Sequence, residues 1–172
     1  ANIEIGGNLQ ANAGANIKIS AVQSEDQKSM ARFGGVGTTD MKVQHGSTIS
    51  VGTNTSITSG KDISIEGSQL SLGSTSSNNA NITAGGSISV AAVKDVSDIL
   101  STNSESTWHS ANSSRLETHS ESVKGSHLVS LGDLNLISGK DIAISGSEVI
   151  ANKNMLIDAK GDLRIASITQ TQ

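Results

Sequence analysis

The chain has 172 residues, a formal net charge of −4, and neither cysteine nor proline. The absence of cysteine excludes disulfides and thiolate metal sites, and the excess of acidic residues argues against nucleic acid as a main partner. Because Trp108 and Phe33 are the only aromatic residues, any core must be aliphatic, which favours stacked coils over a globule.

One short motif recurs along the whole chain, at residues 13–17, 59–63, 84–88, 138–142 and 159–163. Its last residue moves by 46, 25, 54 and 21 positions from copy to copy. The two short shifts predict one coil of a solenoid, and the two long shifts predict the same coil carrying an excursion. The excursions are expected at about 23–46 and about 95–125.

The excursions begin after equivalent Ala-Val pairs at 21–22 and 92–93, and the last coil reaches the same point at Ile168. The larger repeat unit is therefore about 71–75 residues, with two coils and one excursion. In the first excursion the glycine-rich residues 34–37 suit a hairpin tip. In the second, the expected register turns about Asn112. It sets Trp108 opposite Leu116, Glu105 opposite His119, and His109 opposite Arg115.

Each coil segment alternates apolar and polar residues, which is typical of a strand with one buried face. Shifts of 21 and 25 residues superimpose the apolar positions of successive coils, so we expect these side chains to stack. The predicted stack consists of Ile57, Ile63, Ile65, Ile82, Ile88, Val90, Leu136, Ile142, Ile144, Ile157, Leu163 and Ile165.

Glycines punctuate the strands and predict the corners of the coil. The motif copies place turns at Gly14, Gly60, Gly85, Gly139 and Gly161. A positive φ is expected at Gly139, Gly146 and Gly161. Together these patterns predict an all-β fold with almost no helix. We expect a right-handed parallel β-helix of about five coils with two hairpin-like excursions, forming one fragment, 1–172, of a longer filament.

Candidate chemistry is sparse. Asn16, Asp62, Ser87, Asp141 and Asp162 share one motif column, and either calcium binding or hydrogen bonding to the backbone would explain it, with the second favoured. The pattern therefore predicts no metal and no cofactor.

Charged and titratable residues alternate along one predicted strand, at Arg115, Glu117, His119 and Glu121. Either an acid–base site or a solvated charged face would explain this alternation. The second interpretation is favoured, so no catalytic residue is predicted. Trp108, Arg115 and His119 are candidate partner contacts, although packing of Trp108 on Leu116 is an equal alternative.

The string Ser-Gly-Lys-Asp-Ile-x-Ile-x-Gly-Ser occupies residues 59–68 and 138–147, and Ala-Gly-Gly-x-Ile occupies residues 84–88. These strings resemble the haemagglutinin repeat of large two-partner-secretion exoproteins, which include filamentous haemagglutinins and contact-dependent growth-inhibition effectors. The resemblance covers nearly the whole chain, most specifically residues 57–94 and 134–169. It implies a β-helical filament on the surface of Gram-negative bacteria, exported through an outer-membrane transporter.

The leading functional hypothesis is a non-enzymatic structural and adhesive shaft of a secreted filament that supports adhesion or contact-dependent toxin delivery. Its partners would be the neighbouring coils and a receptor or outer membrane of the target cell. The alternative is a β-helical polysaccharide-degrading enzyme or carbohydrate-binding module, which the scarcity of aromatic residues disfavours. Membrane insertion is a third hypothesis, and the polar outward positions would require a rearrangement for it.

Overall fold

The computed structural model describes residues 1–32 and 35–169, which form strands and no helix. In these ranges there is accordingly no helix long and apolar enough to cross a membrane. The strands are, in chain order, β1 Asn2–Ile5, β2 Leu9–Ala13, β3 Ile17–Ser20, β4 Val22–Arg32, β5 Gly35–His45, β6 Thr48–Val51, β7 Thr55–Ser59, β8 Ile63–Glu66, β9 Gln69–Leu72, β10 Asn79–Ala84, β11 Ile88–Ala91, β12 Val93–Thr107, β13 Ser110–Lys124, β14 His127–Ser130, β15 Asp133–Ser138, β16 Ile142–Ser145, β17 Glu148–Ala151, β18 Met155–Ala159 and β19 Leu163–Ala166.

The short strands wind into five coils of three strands each. Coil 1 contains β1–β3, coil 2 β6–β8, coil 3 β9–β11, coil 4 β14–β16 and coil 5 β17–β19. Each coil gives one strand to each of three parallel sheets, whose orders are β1-β6-β9-β14-β17, β2-β7-β10-β15-β18 and β3-β8-β11-β16-β19. The predicted all-β parallel β-helix is confirmed, as are the hairpin-like excursions, because β4–β5 and β12–β13 pair in antiparallel fashion.

The register between coils follows the apolar pattern of the sequence. Ile82 lies opposite Ile57 in coil 2 and opposite Leu136 in coil 4. Ile142 similarly lies opposite Ile88 on one side and Leu163 on the other. A slip of one residue would turn every apolar side chain outward, so burial of one face fixes this register.

The core is a column of aliphatic side chains inside the coils. Nine members of the predicted stack are buried, from Ile57 in coil 2 to Ile144 in coil 4, and Ile157 is partly buried against them. Leu163 and Ile165 in coil 5 are aligned with the column but are 51% and 67% exposed. Their exposure follows from their position in the last coil, where only one side of the strand packs on another coil.

Three of the predicted corner glycines, Gly60, Gly85 and Gly139, are needed for close approach between coils rather than for an unusual φ. A Cβ on Gly60 would lie 2.5 Å from the carbonyl oxygen of Gly14, and one on Gly85 would lie 2.5 Å from that of Gly60. The expectation of positive φ is right for Gly146 and wrong for Gly139 and Gly161, since the positive-φ glycines of the described residues are Gly67, Gly73 and Gly146. Gly161 is also displaced by one position, because Lys160 occupies the place that Gly139 has in coil 4.

Polar side chains at the corners form ladders parallel to the apolar column. The N–H of Ser87 donates to Asp62 Oδ1 at 2.8 Å, and the N–H of Asp162 donates to Asp141 Oδ1 at 2.8 Å. The carboxylates of Asp62 and Asp141 in this predicted column therefore each accept a hydrogen bond from the next coil. A second column joins Asn54 to Asn79 and Asp133 to Asn154 in the same way, and sequence reasoning missed it.

Serine residues mark the corner at which the hairpins return to the coils. The N–H of Ser68 donates to Ser126 Oγ at 3.3 Å, and the N–H of Ser126 donates to Ser147 Oγ at 3.1 Å. The hydroxyl of Ser126 is fully buried and donates to the carbonyl of Ala91 at 2.7 Å. This buried ladder ties the roots of the second hairpin to the coils on either side.

Candidate contact surface on the hairpin sheet

The two excursions pair with each other to form one four-stranded antiparallel sheet of order β4-β5-β12-β13, which we call the wing. The central seam of the wing joins β5 to β12, from Lys42 opposite Val96 to Gly35 opposite Asn103. At the base of the seam the N–H of Gln44 donates to Asp95 Oδ1 at 2.6 Å. The sequence predicted two separate protrusions, and their association is a finding of the structure.

The wing grows out of the coils at one strand per coil. β4 follows coil 1, β5 leads into coil 2, β12 follows coil 3 and β13 leads into coil 4. Neighbouring strands in any sheet are about 4.8 Å apart, so the spacing of the coils and the spacing of the wing strands are the same. The sequence did contain a signal for this association, because the two excursions start two coils apart. A hairpin of two strands has the width of two coils, so the first hairpin extends to the place where the second begins.

The register predicted for the second hairpin is wrong. The turn lies at Trp108 and His109, with Thr107 opposite Ser110, so Trp108 does not face Leu116. Leu116 lies opposite Ser101, Arg115 opposite Thr102, Glu105 opposite Asn112 and His119 opposite Asp98. The pairing of β12 with β13 is fixed at the root, where Val93 lies opposite Lys124. It is also constrained by β5, which pairs with the other edge of β12. These constraints outweigh a single apolar pair near the tip.

The second hairpin reaches beyond the first, and its end forms a two-stranded tongue. The first hairpin pairs with β12 only as far as Asn103, whereas β12 continues to Thr107. The N–H of Ser110 donates to Thr107 Oγ1 at 3.2 Å, which closes the turn. Trp108 is 89% exposed at the end of the tongue, where its ring contacts that of His109. The tip of the first hairpin was predicted at residues 34–37. Its β5 strand begins at Gly35, and Gly34 lies outside the described residues.

One face of the wing is charged. A row across all four strands contains Gln27, Asp40, Asp98 and His119, with the carboxylates of Asp40 and Asp98 directly opposite each other. The hydrogen bond that His119 Nδ1 donates to the Asp98 carboxylate raises the pKa of His119, and the charges of Asp98 and Glu121 act in the same direction. An open depression of about 300 Å³ lies over this part of the seam.

The remaining charges on this face are paired. Lys94 Nζ lies 2.7 Å from Glu121 Oε2, and Arg115 forms an ion pair with Glu117 two residues along β13. Arg115 and His119 thus lie on the charged face, while Trp108 lies at the tip. Arg115 is opposite Thr102, six residues before Trp108, so the two are about 20 Å apart at 3.3–3.4 Å per residue. The structure does not bring the three predicted contact residues into one cluster.

The opposite face carries hydroxyls, exposed apolar side chains and an ion pair between Lys28 and Asp26. Met30, Gly37, Ser101 and Leu116 form one row, in which Met30 and Leu116 are both 64% exposed. Ile99 and Met41 are also exposed on this face. The wing is therefore a single layer with solvent on both sides, and sequence reasoning did not identify its apolar face.

Ligand chemistry is weak over the described ranges. Within residues 1–32 and 35–169, no three His, Asp or Glu side chains are grouped in a way that could hold a metal ion. The carboxylates of Asp62 and Asp141, which the sequence analysis considered as a calcium column, each accept a backbone N–H from the next coil.

Comparisons with known proteins identify the repeat. Residues 106–172 match the family model described as the hemagglutinin repeat. Over 98% of its length the chain is 31% identical to tRNA nuclease CdiA-2 of Burkholderia pseudomallei strain 1026b, of which it covers 5%. It is also 32% identical, over 88% of its length, to two Burkholderia pseudomallei proteins named tRNA nuclease CdiA, of which it covers 12% and 11%. No solved structure matches the chain. The chain thus spans only a small part of these relatives.

Proposed function

Because this chain is a hemagglutinin-repeat region related to the CdiA proteins, we propose that it is a shaft segment of a secreted cell-surface filament that presents the wing to a target cell. The observation that carries the proposal is the combination of a stacked β-helix with a lateral sheet that is rooted in four successive coils. The stack supplies length and stiffness, and the wing supplies a surface. Export through an outer-membrane transporter belongs to this proposal, as does adhesion or toxin delivery.

The mechanical part of the proposal rests on the repeated bonding between coils. Each coil is joined to the next by three parallel strand pairs, an aliphatic column and polar corner ladders. Because each coil contacts mainly its neighbours, stability increases with the number of coils and insertions are tolerated at the corners. A chain of this kind can be extended without a larger core.

The contact part rests on the tongue. Trp108 is 89% exposed, and tryptophan is one of the residue types that most often anchor protein interfaces. Around Trp108 the tongue contains His109, the single acid Glu105 and otherwise small or polar residues. The partner proposed is a component of the target-cell surface, either a receptor or the outer membrane.

The same geometry gives little support to a polysaccharide-degrading enzyme. Such enzymes place two carboxyl groups about 5–10 Å apart beside a sugar-binding groove. Asp98, which faces Asp40 across the seam, is ten positions from Trp108 along the hairpin, or about 30 Å for an extended strand. The aromatic residue and the paired acids are thus far apart on the wing.

Binding of the labelled chain to intact Gram-negative cells tests the proposal. Trp108→Ala should weaken binding, whereas Leu116→Ala, which removes another exposed apolar side chain set back from the tip, should leave binding unchanged. Equal binding by both variants and the original chain would contradict the role of the tongue. Release of reducing ends from polysaccharides by the original chain would favour the enzyme.

A further inference from the structure

The outer edge of β13 is an unpaired strand edge. Within the described residues β13 pairs only with β12, in an uninterrupted register from Lys124 to Ser110. Residues 110–120 are exposed throughout, and the strand contains no proline and no bulge. A long, regular edge of this kind is a template for pairing with another strand.

The architecture indicates where such a strand would come from. The wing adds one strand per coil, and β13 is the strand that leads into coil 4. A strand that follows coil 5 would therefore lie next to β13, as β12, which follows coil 3, lies next to β5. This relation depends only on the equal spacing of coils and wing strands.

Ile168 shows that the chain departs from coil 5 as it departs from coil 3. A Cβ on Gly67, where φ is 55°, would clash with Cγ2 of Val93, the first residue of β12. A Cβ on Gly146, where φ is 56°, would lie 2.5 Å from Cγ2 of Ile168. The next neighbours also correspond. Ala21 Cβ would lie 3.2 Å from the Cβ on Gly67, and Ala92 Cβ would lie 3.0 Å from the Cβ on Gly146. Ile168 thus occupies the position at which a wing strand begins.

We propose that the outer edge of β13 is the docking edge for the hairpin of a further repeat unit of the same kind. Each unit then adds two strands to one continuous antiparallel wing that runs along the filament. The inference rests on the proposed function in one respect, since it assumes that repeat units follow one another in a shaft. Its partner surface is internal to the filament, so it does not depend on what the tongue contacts.

The seam between β5 and β12 gives the expected register of the new seam. Thr39 is the sixth residue before the end of β5, and it lies opposite Ile99 of β12. Thr118 is the sixth residue before the end of β13. The residue of a following unit that corresponds to Ile99 should therefore lie opposite Thr118. The residue that corresponds to Asp98 should lie opposite His119. The new seam would therefore pair an imidazole with a carboxylate, where the existing seam pairs the carboxylates of Asp40 and Asp98.

A chain with one added unit tests the proposal. Residues 1–167 are followed by a second copy of residues 93–172, so that the second Val93 takes the place of Ile168. Thr118→Cys in the first copy is combined with Ile99→Cys in the second copy only. Because the natural chain has no cysteine, oxidation should remove both free thiols and give a single linked pair of peptides.

Two matched variants of the extended chain make the result decisive. Thr39→Cys with Ile99→Cys in the first copy probes the existing seam, and it should cross-link if the coils and the wing are folded. Thr118→Cys with Asn103→Cys in the second copy is out of register by four residues and should keep its free thiols. Cross-linking of the Thr39 pair without the Thr118 pair would overturn the continuous wing while leaving the shaft intact. Failure of the Thr39 pair as well would overturn both the inference and the shaft from which it is drawn.

Discussion

Ile142 lies directly opposite Leu163 in the adjacent coil, and the same side chain lies opposite Ile88 on its other side. Ile142 is fully buried, whereas Leu163 is 51% exposed, although the two belong to one column. The difference shows that burial in this fold is supplied by coils on both sides rather than by the shape of a single coil. Substitutions in the column should therefore have effects that depend on the coil in which they are made.

Ile142→Asp should destabilise the chain by about 3–5 kcal/mol, because it places an unpaired carboxylate between two aliphatic layers. Ile165→Asp puts the same group at an aligned position that is 67% exposed, and it should cost less than about 1 kcal/mol. Denaturant unfolding followed by circular dichroism measures both. Equal losses in the two variants would show that the column is not the source of stability.

Gly85→Ala should destabilise the chain by about 1–3 kcal/mol, because the new Cβ would lie 2.5 Å from the carbonyl oxygen of Gly60 and force the coils apart. Gly14→Ala is the matched control, since a Cβ there meets nothing within 4 Å. It should change the unfolding free energy by less than about 0.5 kcal/mol. Thermal unfolding of the two variants compares them, and a neutral Gly85→Ala would contradict the close approach of the coils.

Deletion of residues 96–124 should leave the β-helix folded. The deletion joins Asp95 to the Gly125-Ser126 corner, and coils 2 and 3 are already connected without an excursion through Gly67 and Ser68. The β signal in circular dichroism and a cooperative transition should persist, whereas the first hairpin should lose protection along β5, whose partner β12 is absent. Loss of the cooperative transition would mean that the wing is needed to hold the coils together.

The coils could be predicted from the sequence because every turn repeats the same physical requirement. An aliphatic residue must enter the column at each turn, so the 21-residue shift between Ile142 and Leu163 predicts that the two residues pair. The corner glycines were also visible, although their cause was not. Close approach to the carbonyl of the coil below, and not positive φ, excludes a side chain at Gly60 and Gly85.

The wing could not be predicted in the same way, because its register is set by strands that are distant in the sequence. Asp98 lies between Asp40 on one side and His119 on the other, and neither pair is apolar. A rule that favours the pairing of Trp108 with Leu116 therefore misplaces the turn. The positions of Trp108 at the tip and of His119 on the charged face follow only once β12 is held by both of its neighbours.

Pairing of the second hairpin should weaken as the pH rises through neutrality. The hydrogen bond to Asp98 raises the pKa of His119 above its ordinary value of 6.5, and the charge of Glu121 acts in the same direction. The other charged groups nearby are Lys94, which is paired with Glu121, and Asp40, which faces Asp98 across the seam. A group whose folded-state pKa is raised contributes its stabilisation in full below the unfolded value, and it loses that contribution as the pH passes through the folded value. Amide protection factors along β13 should therefore be higher at about pH 6 than at about pH 8.5. His119→Gln keeps a polar side chain at the position but cannot become charged, so it should remove the difference. A pH dependence that survives in His119→Gln would assign the effect to another group.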